Sequence, residues 1–121
     1  MKKILLVDDM ESELKLLNNY LTKGGFEVVT AVNGKDALEK VKKDTFDVVV
    51  TDWMMPVMGG LDLCRKLRKK SETADIPVIA CTAKNQDVDK KWAKRQGITR
   101  YLVKPCTKEE LLNTVNTVVG K

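Results

Sequence analysis

The sequence predicts an α/β domain in which a five-stranded parallel sheet is doubly wound, with helices on both faces. Three observations carry that reading. Five short runs rich in β-branched residues and leucine alternate with five stretches of helical character, the order that parallel sheets produce. Right-handed crossovers then leave few topologies to consider. Finally, four of the five runs end on acidic, hydroxyl or basic residues, which is where open α/β sheets place their ligand crevice.

Each element follows from local chemistry. Strand one, Lys3 to Val7, ends at Asp8-Asp9. Met10, Leu14, Leu17 and Leu21 share one face of helix one, with Glu11 and Glu13 near its positive end and Gly24-Gly25 stopping it. Strand two is Glu27 to Ala31, and Asn33-Gly34 opens helix two, with Ala37, Leu38 and Val41 inward. Gly34-Lys35 lacks the upstream glycine and the following Ser or Thr of a phosphate loop, so it reads as a helix start.

Strand three, Phe46 to Thr51, carries Val48-Val49-Val50, the mark of a strand buried on both faces. The stretch from Thr51 to Gly60 organises the rest, because it sets Asp52 at the end of this strand and then punctuates a loop with Pro56, Gly59 and Gly60. Leu63, Cys64 and Leu67 line helix three, whose Arg65, Lys66, Arg68, Lys69 and Lys70 are expected to face water. Strand four is Val78 to Cys81, followed by Thr82-Ala83. Helix four is expected over 86–96 and, with little apolar content, should be the most loosely held. Strand five, Arg100 to Val103, ends at Lys104-Pro105. Thr107 and Glu110 form a capping box for helix five, whose stripe is Leu111, Leu112, Val115, Val118 and Val119.

The 121 residues, 43% hydrophobic and 32% charged, suit one globular domain over 1–121 with no second, output domain. No apolar stretch approaches the roughly 20 residues of a membrane span, and Ile4 to Val7 is too short for a signal peptide, so a cytoplasmic location is expected. Histidine is absent and Cys64, Cys81 and Cys106 form no C-x-x-C pair, which argues against zinc and against a disulfide framework. The cysteines read as buried small hydrophobes, with Cys106 close to the strand ends. The net charge of +5 is spread over solvated helix faces without interleaved aromatics, so it reads as a solubility feature and not as a nucleic-acid surface.

Strand one supplies Asp8 and Asp9, strand three Asp52, strand four Thr82 and strand five Lys104. Taken singly, the acid pair could cap a helix, Thr82 could be a turn residue, Lys104 a solvated lysine and Tyr101 a core aromatic. Five placements on one sheet edge suggest a site. Two carboxylates about 4 Å apart at an effective dielectric near 20 repel by roughly 4 kcal/mol, so the cluster calls for cations beyond Lys104. Mg²⁺, with Mn²⁺ as substitute, suits hard oxygen ligands. Asp52, alone on the central strand, is the best nucleophile towards phosphorus; Asp8-Asp9 suits an ion, and Lys104 and Thr82 suit phosphoryl oxygens.

Val7-Asp8-Asp9, the block Asp52 to Gly60, Thr82-Ala83, and Tyr101 with Lys104-Pro105 together resemble the response-regulator receiver domain of two-component signalling, the stand-alone chemotaxis type included, over essentially the whole chain. The resemblance implies the flavodoxin-like strand order 2-1-3-4-5. It implies that Asp52 is the phospho-acceptor for a histidine kinase or phosphotransfer protein, that Asp8, Asp9 and the Met54 main-chain carbonyl hold Mg²⁺ beside Asp52, and that Lys104 binds phosphate. Thr82 and Tyr101 match the switch pair, and the output face would be helix four, strand five and helix five, meeting a downstream protein as a monomer or a phosphorylation-dependent dimer. Ala83-Lys84-Asn85-Gln86, Asp89, Trp92 and Arg95-Gln96-Gly97 are similar to regulators of twitching motility and type IV pili. Cys106 departs from the phenylalanine usual after Lys-Pro, and Ile98 from the alanine common after Gly97. Met54, Met55 and Met58 read as gap-filling residues. Two other readings stay open: a Mg²⁺-dependent phosphohydrolase with Asp52 as nucleophile, though Met54 stands where such enzymes carry a second acid, and a receiver-like scaffold or nucleic-acid binder that never turns over phosphate.

Overall fold

A computed structural model describes residues 1–83, 91 and 94–120. Its strands are β1 (Lys3–Val7), β2 (Glu27–Ala31), β3 (Val48–Thr51), β4 (Val78–Thr82) and β5 (Arg100–Val103). Its helices are α1 (Glu11–Lys23), α2 (Gly34–Lys43), α3 (Gly60–Lys69) and the C-terminal α4 (Lys108–Val118). The helix expected over 86–96 falls largely outside the described residues. All five strands are parallel, in the order β2-β1-β3-β4-β5.

Alternation along the strands divides the interior into two cores. Leu5, Val7, Val49, Val78 and Ala80 point to one side and meet Ala37 of α2 and Leu63, Cys64 and Leu67 of α3. Ile4, Leu6, Val48, Val50, Ile79 and Cys81 point to the other and meet Leu17 and Leu21 of α1 and Leu111 and Val115 of α4. Val48 to Val50 are fully buried because β3 lies in the middle of the sheet with helices above and below.

Capping follows the sequence at two helices. The Asn33 side chain accepts the Asp36 N–H at 2.8 Å, and Thr107 and Glu110 complete the capping box of α4. At α1 the cap position is Met10, 54% exposed and outside the apolar stripe on which periodicity placed it. Its N–H donates to Asp8 Oδ1 at 3.0 Å, which turns the chain before the helix begins.

Three further expectations are corrected. β3 begins at Val48 rather than Phe46, because Asp47 pairs with Lys3 through both its main-chain N–H and its carboxylate before the ladder starts. β4 runs on to Thr82, whose carbonyl accepts the Lys104 N–H at 2.9 Å. Arg68 does not face water: its guanidinium donates to the carbonyls of Ala74, Ile76 and Gly97 and so ties the α3–β4 loop to the turn before β5.

The loop after β3 folds back on that strand. Gly60 N–H donates to the Trp53 carbonyl at 3.0 Å, and a Cβ on Gly60 would stand 2.5 Å from the Asp52 carbonyl oxygen. Gly34 is equally tight against Met58, whose carbonyl accepts the Gly34 N–H at 2.8 Å, so α2 is anchored to the same loop. Gly60→Ala therefore forces the backbone beside Asp52 to shift. Urea unfolding of that variant is expected to show a loss of about 1–3 kcal/mol; wild-type stability would contradict the close approach.

Candidate functional site

Register brings the acidic residues together. β1 and β3 pair with Val7 opposite Thr51, so Asp8 and Asp52 follow at the same level on adjacent strands. Both continue the phase of Leu6 and Val50, and the ladder persists past the strand ends through Asp8 N–H to the Ala31 carbonyl and Asp52 N–H to the Val7 carbonyl. Two carboxylates are thereby held on the same edge of the sheet, on the side that α1 and α4 cover.

Lys104 bridges them. Its Nζ donates to Asp8 Oδ2 at 2.6 Å and to Asp52 Oδ2 at 3.1 Å. Burial opposes the lysine charge, but the hydrogen bond to Asp8 and the charges of Asp52 and Asp8 outweigh it, and its pKa rises above the ordinary lysine value. Asp8 is 1% exposed, so the Lys104 ammonium takes the place of water at its carboxylate. Asp9, one residue on, is exposed.

Oxygens of Asp8, Asp9 and Asp52 lie within 4.8 Å of one another. Oxygens on one octahedral Mg²⁺ at about 2.1 Å stand no more than about 4.2 Å apart, so a small closure of side chains would seat such an ion. The donors are all hard oxygens, and among the described residues three carboxylates face one ammonium group, so both charge and chemistry fit a divalent cation.

An open cleft of about 600 Å³ lies over Asp52 and Lys104, bordered by Met10, Glu13, Met54, Thr82, Ala83 and Pro105. Thr82, 2% exposed, stands at its wall at the end of β4. The Met54 N–H donates to Asp52 Oδ1 at 3.3 Å, while its side chain, 60% exposed, borders the cleft. Met54 is thus not a gap-filler; Met55 packs against the core, and Met58 covers Gly34. All three cysteines are buried.

Of the residues singled out in the sequence, Asp8, Asp9, Asp52, Met54, Thr82 and Lys104 converge. Tyr101 stands apart from them. It lies opposite Ala80 in the β4–β5 ladder, half-buried against the α2–α3 core, on the sheet face that Thr82 also follows. Met10 and Glu13 are cleft residues that periodicity and helix-dipole reasoning had assigned to other tasks. The signal was present: α1 starts directly after the acid pair, so its first turn must flank whatever the pair holds.

Protein PilH of Pseudomonas aeruginosa is 44% identical over 120 residues, covering 99% of both chains. Among solved structures, the chemotaxis protein CheY4 of Vibrio cholerae superposes with a TM-score of 0.93 at 37% identity, covering 98% of both chains. The receiver domain of sensor histidine kinase PA1611 from Pseudomonas aeruginosa, solved with a magnesium ion coordinated in its active-site cleft, gives a TM-score of 0.91 at 26% identity, covering 99% of this chain and 98% of that one. The model of the response regulator receiver domain matches residues 4–116, and with these relatives it shows that the chain belongs to the response regulator receiver family.

Proposed function

We propose that this chain is a phospho-accepting response regulator: Asp52 receives a phosphoryl group from the histidine of a kinase or phosphotransfer protein in a Mg²⁺-dependent step. The observation that carries the reading is Asp52 paired with Lys104 while its carboxylate lies within 4.8 Å of Asp8 and Asp9 oxygens. The magnesium in the related PA1611 cleft supports the same ion here, held by Asp8, Asp9, Asp52 and the Met54 carbonyl.

Mg²⁺ supplies charge neutralisation between the carboxylates and the phosphoryl oxygens. The protein supplies position. A carboxylate oxygen of Asp52 forms the new bond to phosphorus as the P–N bond to the donor histidine breaks, and the electron pair leaves on the imidazole nitrogen. Lys104, already in contact with Asp52, is placed to take up a phosphoryl oxygen, and Thr82 at the cleft wall is placed to donate its hydroxyl to another. Both gains are absent before transfer, so phosphorylation changes what the β4 and β5 ends bind.

Tyr101, on the same sheet face as Thr82, is the aromatic member of this switch, and β5 and α4 belong to the face that meets a downstream protein. β5 is one of the two edge strands, which suits a surface whose partners change. The likeness to PilH and CheY4 supports a chemotaxis or motility pathway, acting in the cytoplasm. No described helix is long and apolar enough to cross a membrane. A hydrolase with Asp52 as nucleophile remains the enzyme-class alternative, but position 54 offers an exposed methionine and no second acid.

Intact-mass measurement after acetyl phosphate and Mg²⁺ should show one added phosphoryl group, lost in Asp52→Asn; a label retained in that variant would move the acceptor elsewhere. Rapid turnover of a generic phosphate ester would favour the hydrolase instead. Lys104→Met should slow labelling by about 10²–10³-fold. It should also cost about 1–3 kcal/mol of stability, less than a fully enclosed pair because the cleft is open. Since folding raises the lysine pKa, that contribution is complete below the unfolded value of about 10.4 and fades only as pH climbs past it. Denaturation from pH 7 to 11 checks this; a wild-type advantage that vanishes by pH 9 would contradict it.

A further inference from the structure

We propose that Cys81 and Cys106 are a modification site: a dithiol that peroxide converts reversibly to a disulfide beside the phosphoryl cleft. The two sulfurs lie 3.8 Å apart, both buried, one at the end of β4 and the other in the loop between β5 and α4. A disulfide needs about 2.05 Å, so the sulfurs must close by less than about 2 Å. The loop between β5 and α4 is the element to move, since β4 is bonded on both sides within the sheet.

The two thiols are inequivalent. Cys81 is 1% exposed, and Cys106 is 9% exposed. Cys106, the more exposed of the two and the one whose pKa is held down by its contact with Cys81, is the thiol that peroxide meets first. Cys106 sulfur attacks one oxygen of hydrogen peroxide; the O–O bond breaks, the sulfur is oxidised to sulfenic acid, and one water leaves. Cys81 sulfur then attacks the sulfenic sulfur, the S–O bond breaks, and the hydroxyl departs with the Cys81 proton as a second water. Two thiols and one peroxide give one disulfide and two waters.

The location gives the bond a consequence. Thr51 pairs with Ala80, so Asp52 and Cys81 follow at one level on adjacent strands, and Thr82 comes directly after Cys81. Cys106 follows Lys104 and Pro105. A Cys81–Cys106 bond therefore tethers the loop that carries Lys104 to the strand that carries Thr82, and fixes both groups that are to receive phosphoryl oxygens. Displacement of about 1 Å in such a site is enough to cost on the order of 10²-fold in rate. This consequence rests on the phospho-acceptor reading; the disulfide itself does not.

The test treats the full chain with hydrogen peroxide, blocks remaining thiols under denaturing conditions and maps peptides. The expected result is a Cys81–Cys106 cross-link within one chain, reversed by dithiothreitol, with Cys64 blocked as a free thiol. Cys64→Ala should leave the cross-link intact and Cys106→Ala should abolish it. Three free thiols, a link through Cys64 or between chains, or Cys106 carried to sulfinic acid beside a free Cys81 would each overturn the proposal. Acetyl phosphate labelling of the oxidised chain should fall at least about tenfold and recover on reduction; an unchanged rate would remove the tether's effect on the cleft. If the reduced chain is not labelled at Asp52 either, the phospho-acceptor reading fails while the peptide map still decides the disulfide.

Discussion

Lys104 reaching across to Asp8 and Asp52 is the contact on which the rest of this site depends. Among the described residues one ammonium group faces three carboxylates, so negative charge is in excess in the cluster. Like charges at this spacing repel by a few kcal/mol even at the dielectric of a protein surface, about 4 kcal/mol per pair. The molecule tolerates this because Asp9 is exposed and the cleft is open, while the deeply buried member, Asp8, has the shortest bond to the lysine. The deficit of positive charge is what a divalent ion would correct.

The fold produces that tension without strained geometry at the acids themselves. A parallel sheet points all its carboxyl ends the same way, and the pairing of β1 with β3 puts two acids level on neighbouring strands. Helices on both faces keep the middle of the central strands apolar, and Asp8, Asp52 and Lys104 each stand at the first residue beyond a strand, where the sheet opens to the cleft. The loop after β3 is held against its own strand by the close approach of Gly60 to the Asp52 carbonyl, and α2 is held to that loop through Gly34 and Met58. Backbone pairing sets where Asp8, Asp52 and Lys104 stand, and Tyr101 lies towards the β5 end of the sheet.

Much of this was legible in the chain. Strand and helix alternation, the Asn33 and Thr107 caps and the set Asp8, Asp9, Asp52, Thr82 and Lys104 follow from local rules, because each depends on neighbours in sequence. The strand order did not follow from those rules; it depends on which crossover packs where and came from family likeness. Periodicity misplaced Met10, since a stripe carries no sign of the Asp8 carboxylate that turns the chain just before the helix. Arg68 looked solvated on a helical wheel, but its three carbonyl partners come from two other segments and are invisible until the fold closes. The Cys81–Cys106 approach was hidden for the same reason: residues far apart in sequence meet only through β4–β5 pairing.

The convergence of three acids on one cation is tested most directly by adding Mn²⁺ to ¹⁵N-labelled protein and following amide signals. The account predicts that paramagnetic broadening is centred on Asp8, Asp9, Asp52 and Met54, saturates, and is displaced by Mg²⁺. Broadening centred on another part of the surface, or none at millimolar Mn²⁺, would contradict it.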